Sequence, residues 1–138
     1  MDNPGEKMHD LIRRDGRYPR EAFAFLHEGL NRAVQQIHGN EKLAESQNEE
    51  GLSEKLHVTG QQLCESLRDY AIDRWGLLAP TVLRSWGICE SLDFGNMVYL
   101  LIEGGFMRKT DDDSIEDFRD VYDFEKAFDV PLHFEIQE

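Results

Sequence analysis

The sequence predicts a mainly α-helical α+β domain: a three-helix core with a small β wing, N-terminal helices before it and an acidic, aromatic-rich segment after it. Three observations lead there. Residues 20–38 carry apolar side chains at alternating spacings of three and four, and Leu63, Leu67, Tyr70 and Ala71 follow at helical spacing, the period of a half-buried helix. Pro80–Lys109 holds two further apolar runs, closed by Gly87 and by Gly104-Gly105, and then the strand-like pair Phe106-Met107. Residues 132–136 alternate apolar and polar side chains, the period of a strand.

With 138 residues, 40% of them apolar, the chain is long enough for one domain with a real core. The organisation expected is leader helices at 1–39, a flexible loop at 40–56, the wing-bearing core at 57–110 and the acidic-aromatic segment at 111–138. The formal net charge is −13. A surface of that sign repels phosphate backbones and anionic lipid, and suits basic protein surfaces. No apolar run approaches the roughly 20 residues of a membrane span, and no signal-peptide core is expected near Met1. Cys64 and Cys89 form no CxxC pair and read as reduced, buried and cytoplasmic.

Taken in order, Met8, Leu11 and Ile12 make one apolar face of a short helix, stopped at Asp15-Gly16 and Pro19. Phe23, Leu26, Leu30, Ala33 and Ile37 line the next helix, which Gly39 closes. Glu45–Gly51 has nothing to bury, hence the loop. Thr59 with Gln62 is a capping box, with Val58 and Leu63 placed as a hydrophobic staple, and Gly76 ends that helix. Pro80 suits a first helical turn. Ser91 is the expected cap of the last core helix, Leu92–Glu103, with Asp93 in its first turn. The expected core includes Trp75, Trp86, Phe94, Val98, Leu101 and Phe106, and Gly95 leaves a gap on the helix surface. Residues 111–138 hold eleven carboxylates against Arg119 and Lys126, threaded by Phe118, Tyr122, Phe124, Phe128 and Phe134. That many rings predict a docked segment. Ser114 with Asp117 reads as a capping box, but the ring spacing fits a helix and a returning wing strand alike.

The order helix, turn, helix, glycine stop, strand resembles a winged helix-turn-helix, and that pattern alone does not fix function. The run TVLRSWGICESLDFGNMVYLLIEGGFMRKTDDDSIEDFRDVYDFEKAF, with DGRYPREAFAFLHEGL and HVTGQQL, also resembles an uncharacterised protein family of planctomycetes and verrucomicrobia. That resemblance implies no activity, cofactor or site residue.

The chemistry is weighed from the residues. Leu92–Glu103 has no Arg or Lys, and three aspartates follow Arg108-Lys109, so a winged-helix transcriptional regulator that binds nucleic acid is the alternative rather than the expectation. Arg13, Arg14, Arg17 and Arg20, with Tyr18 among them, read either as an RNA or phosphate patch or as partners of the carboxylates at 111–129; the second is favoured by the opposite charges. His9, His27, His38, His57 and His133 lack metal-ligand spacing, and Asp111-Asp112-Asp113 lacks the glycine of a calcium loop. Cys64 near His57 reads as a structural thiol rather than a nucleophile. No cofactor or metal is expected. The expectation is a non-enzymatic protein–protein interaction or adaptor module, with a protein partner or a second copy engaged through Asp93, Phe94, Met97 and Tyr99, and Arg13, Arg14 and Arg17 as a second candidate surface.

Overall fold

The computed structural model describes residues 4–39 and 57–129. Six α-helices are found among them: α1 Pro4–Asp15, α2 Arg20–His38, α3 Gly60–Trp75, α4 Ala79–Ser85, α5 Ser91–Glu103 and α6 Phe124–Ala127. Short 3-10 turns lie at Gly76–Leu78 and Ile115–Phe118. The loop expected at 40–56 and the alternating stretch at 132–136 fall outside the described residues.

α2 has the bounds its apolar stripe predicts, and Gly39 closes it at φ +88. It packs along α3, where the Leu67 side chain fills the space that a Cβ at Gly29 would take. Beside it, the buried Ser66 hydroxyl donates to the Gly29 carbonyl at 3.1 Å. α3 starts on the expected capping box: Gln62 N–H donates to Thr59 Oγ1 at 3.1 Å and Thr59 N–H to Gln62 Oε1 at 2.9 Å. Pro80 lies in the first turn of α4.

The small β wing is not found: there is no strand among the described residues, and the class there is all-α. The reason lies at the end of α5. Gly105 adopts φ +82, its N–H donates to Ile102 O at 3.0 Å, and Phe106 N–H reaches back to Leu101 O at 2.8 Å. This is a Schellman cap, and Met107 N–H also turns toward Leu101 O, at 3.3 Å. The donors that a wing strand would offer to a neighbour close the helix instead. The same device ends α4, where Gly87 has φ +83 and Ile88 N–H donates to Leu83 O at 2.9 Å.

The described part of the acidic-aromatic segment, residues 111–129, is docked, as its rings predict, and its regular elements are helical rather than a returning strand. Ser114 N–H donates to Asp117 Oδ2 at 3.1 Å and the Ser114 hydroxyl accepts from Glu116 N–H at 3.2 Å, so the capping box serves a 3-10 turn. Phe118 from that turn fills the gap over α5: a Cβ at Gly95 would lie 2.7 Å from the Phe118 Cβ. Ser91 is not the cap of α5, a position taken by Glu90. Its buried hydroxyl instead donates to Phe118 O at 2.6 Å and accepts from Val121 N–H at 3.1 Å. On the α3 side, Arg68 Nε donates to Ala127 O and the Tyr122 hydroxyl to Cys64 O, both at 2.8 Å.

The core forms where these pieces meet. Phe94, Val98 and Leu101 are buried as expected, while Trp75, Trp86 and Phe106 are half-buried at its edge. Phe25 connects the two groups, with its ring 5.1 Å from Tyr70, 5.4 Å from Trp75, 5.8 Å from Trp86 and 6.4 Å from Phe94. Each such ring taken from water contributes about 2 kcal/mol or more.

Candidate functional site

The site begins at the turn between α1 and α2. Gly16, at φ +73, ends α1, and Pro19 leads into α2 in extended conformation. Between them Tyr18 turns inward and is only 6% exposed. Its hydroxyl donates to Asp93 Oδ1 at 2.6 Å and accepts from Asn96 Nδ2 at 3.2 Å. Burial, with the Asp93 hydrogen bond second, pushes its pKa up to about 12. Two close approaches seat the turn on the rest of the fold. A Cβ at Gly87 would lie 3.3 Å from Arg17 O, and one at Gly104 would lie 2.5 Å from Leu11 Cδ2. The α1–α2 turn therefore rests on the α4–α5 turn, and α1 rests on the end of α5.

This seating leaves a groove of about 1090 Å³ between the N-terminal elements and the end of α4. Its apolar lining comes from Ile12, Pro19 and Trp86, and its cationic lining from Arg13, Arg17 and Arg20, with His9 beside them. Glu6 and Asp10 also face it. A smaller depression of about 660 Å³ shares Asp10 and Arg13 and adds Lys7, Arg14 and Phe106. Basic side chains thus outnumber acidic ones along α1 and its turn, with Glu6 and Asp10 among them.

The expected pairing of the arginines with the carboxylates at 111–129 is not what the structure shows. Arg13 pairs with Asp10 at 2.6 Å, Arg17 with Asp15 at 3.0 Å and Arg20 with Glu21 at 3.5 Å, and Arg14 Nε donates to Asp10 O at 3.4 Å. Carboxylates within a few residues reach these guanidiniums at little entropic cost, so local pairs win over remote ones. The Asp15 hydrogen bond raises the Arg17 pKa and keeps its charge in place. The segment's carboxylates find other partners: Asp113 Oδ1 lies 3.0 Å from His57 Nε2, and Glu116 pairs at 2.6 Å with Arg119 of the same segment.

The α5 residues assigned to a partner lie elsewhere than on a free face. Phe94 and Met97 are wholly buried. Asp93 is half-buried, and besides Tyr18 it accepts from the N–H groups of Cys89 at 2.8 Å and Glu90 at 3.1 Å. The half-buried Tyr99 ring lies edge-on to Phe118 at 6.5 Å, and burial raises its pKa. Arg13, Arg14 and Arg17 are exposed. Trp86, Pro19 and Ile12 were missed as site residues, because a tertiary seating and no local pattern brings them together.

The remaining chemical candidates can be placed. Cys64 is fully buried, and burial pushes its thiol up to about 12, so it stays protonated near neutrality. Cys89, expected to be buried, is exposed. Among the described residues no three His, Cys, Asp or Glu side chains gather as a metal site, and no helix is long and apolar enough to cross a membrane. Compared with protein-family models, curated proteins and solved structures, the chain finds no match.

Proposed function

We propose that this chain is a non-enzymatic protein-interaction module that holds an anionic partner segment in the groove beneath α1. The observation that carries this reading is the groove's make-up: Arg13, Arg17 and Arg20 share its lining with Trp86 on a chain of net charge −13, and their side chains are 77%, 51% and 71% exposed. Exposed ion pairs such as those of Arg13 with Asp10 and of Arg20 with Glu21 contribute about 0–1 kcal/mol, so a partner's carboxylate can replace them at small cost. Burial of Phe94 and Met97 argues for moving the partner surface from α5 to this groove. We place the module in the cytoplasm, where the exposed Cys89 thiol stays reduced. Membership of the planctomycete and verrucomicrobial family is likewise our proposal and rests on the runs quoted above.

The test is selection from an unbiased displayed-peptide library on the wild-type protein and on the variant Arg13→Glu, Arg17→Glu, Arg20→Glu. Acidic peptides enriched by the wild type and not by the variant are the expected result. The same peptides from both proteins, or none from either, would remove this groove as the partner site.

A further inference from the structure

We infer that the occupant of the groove is a peptide segment in which carboxylates flank an aromatic side chain, the ring seated against Ile12 and Trp86 and the carboxylates on Arg13, Arg17 and Arg20. This rests on the reading of the groove as the interaction site and names the partner's chemistry.

Three features select that occupant. The first is size. At about 1090 Å³ the groove lies at or above the upper end of the roughly 300–1000 Å³ of small-molecule sites, and it continues into a second depression at Asp10 and Arg13. An extended chain uses such a space better than a compact ligand does. The second is polarity. Ile12 and Trp86 give the groove an apolar lining within a basic one, so an occupant gains most by burying a ring while keeping acids on either side. A nucleic-acid backbone gains nothing from Ile12. The third is the presence of Asp10 on the same lining. A densely charged phosphate chain meets repulsion there, whereas carboxylates carried by a peptide can be spaced to avoid it. The guanidinium groups already hold carboxylates in this structure, with Arg13 2.6 Å from Asp10 and Arg17 3.0 Å from Asp15. They therefore have the geometry for the exchange.

The experiment is fluorescence anisotropy with the full chain and four labelled probes: a peptide with glutamates on both sides of a phenylalanine, the same peptide with alanine in place of phenylalanine, single-stranded RNA and duplex DNA. We expect the phenylalanine peptide to bind with a Kd of tens of micromolar, the alanine peptide about tenfold more weakly, and both nucleic acids more weakly still. Arg13→Ala with Arg17→Ala should weaken the phenylalanine peptide at least tenfold, with an unchanged melting temperature showing that the variant folds. Tighter binding of either nucleic acid, equal binding of the two peptides, or no loss in the double variant would each overturn the inference. So would no binding of any probe at about 1 mM. If the library selection yields acidic peptides without a ring, the groove remains the partner site and only the aromatic anchor is wrong.

Discussion

Tyr18 joins the turn after α1 to the start of α5, so the hydroxyl it places against Asp93 bears on both stability and the shape of the groove. Tyr18→Phe leaves Asp93 Oδ1 without that donor. A bond to a charged acceptor contributes about 1.5–3 kcal/mol, and we expect a loss of about 2 kcal/mol in urea unfolding. The alkaline limb carries a second signature. Tyr18 is neutral in the fold, and its pKa of about 12 stands above the ordinary 10.0. Its contribution is therefore whole below pH 10 and is lost as pH rises toward 12. Burial raises Tyr122 and Cys64 as well, so the variant should keep an alkaline loss that is shallower than that of the wild type. Identical pH profiles would mean that the hydroxyl is not locked. Gly95 carries the opposite lesson about glycine. Gly95→Ala would normally gain about 1 kcal/mol of helix propensity. Here the new methyl would lie 2.7 Å from the Phe118 Cβ, and overpacking costs about 1–3 kcal/mol. We expect a net loss in melting temperature, and a gain would contradict the seating of Phe118.

At the scale of elements, residues 114–128 hold to the fold through few polar ties, and Ser91 supplies two of them. Ser91→Ala leaves the buried carbonyl of Phe118 and the half-buried N–H of Val121 without that partner. An unsatisfied buried group costs about 1–3 kcal/mol, so we expect about 2 kcal/mol overall, with loss of amide-exchange protection at Val121 before α2 or α3 is affected. Uniform loss of protection across the chain would show that the segment unfolds with the core rather than as a separate unit. The caps on α4 and α5 explain why these short helices end where they do. At α5 the positive-φ Gly105 directs the next two donors back to Leu101 O, and at α4 the positive-φ Gly87 directs Ile88 N–H back to Leu83 O. Two glycines and the pair Phe106-Met107 are thereby compatible with a helix stop and incompatible with a strand start.

At the scale of the whole molecule, the net charge of −13 sets the response to salt. The ion pairs of Arg13 and Arg20 are exposed and local, so screening them costs little, and Arg17 keeps its local partner in the half-buried Asp15. Screening also relieves the self-repulsion of the excess carboxylates, which opposes the compact state. We expect the melting temperature to rise by a few degrees between low salt and about 0.5 M NaCl. A fall would show that cross-segment ion pairs hold the fold. Deleting residues 1–19 should still destabilise the protein, because Ile12 and Tyr18 leave the core. High salt should not reproduce that loss.

Local sequence specifies the helices with strong periodicity and local caps. The bounds of α2, the Thr59–Gln62 box, the proline in the first turn of α4 and the glycine stops are all interactions within a few residues, and such interactions are legible in the order of side chains. It also determined that the acidic segment docks, because exposed rings are costly. Tertiary structure decided the rest. Phe106 and Met107 have strand-like side chains, yet their backbone donors serve the end of α5. Gly95 looked like a surface gap until Phe118, 23 positions later in the chain, filled it. Asp93 looked like a free charge until Tyr18 reached it across 75 positions. The candidate groove was half legible: its arginines stand together in the chain, whereas Trp86 joins them only through the seating of one turn on another. Periodicity reports which face of a segment leaves water. It carries no information about which distant segment covers that face.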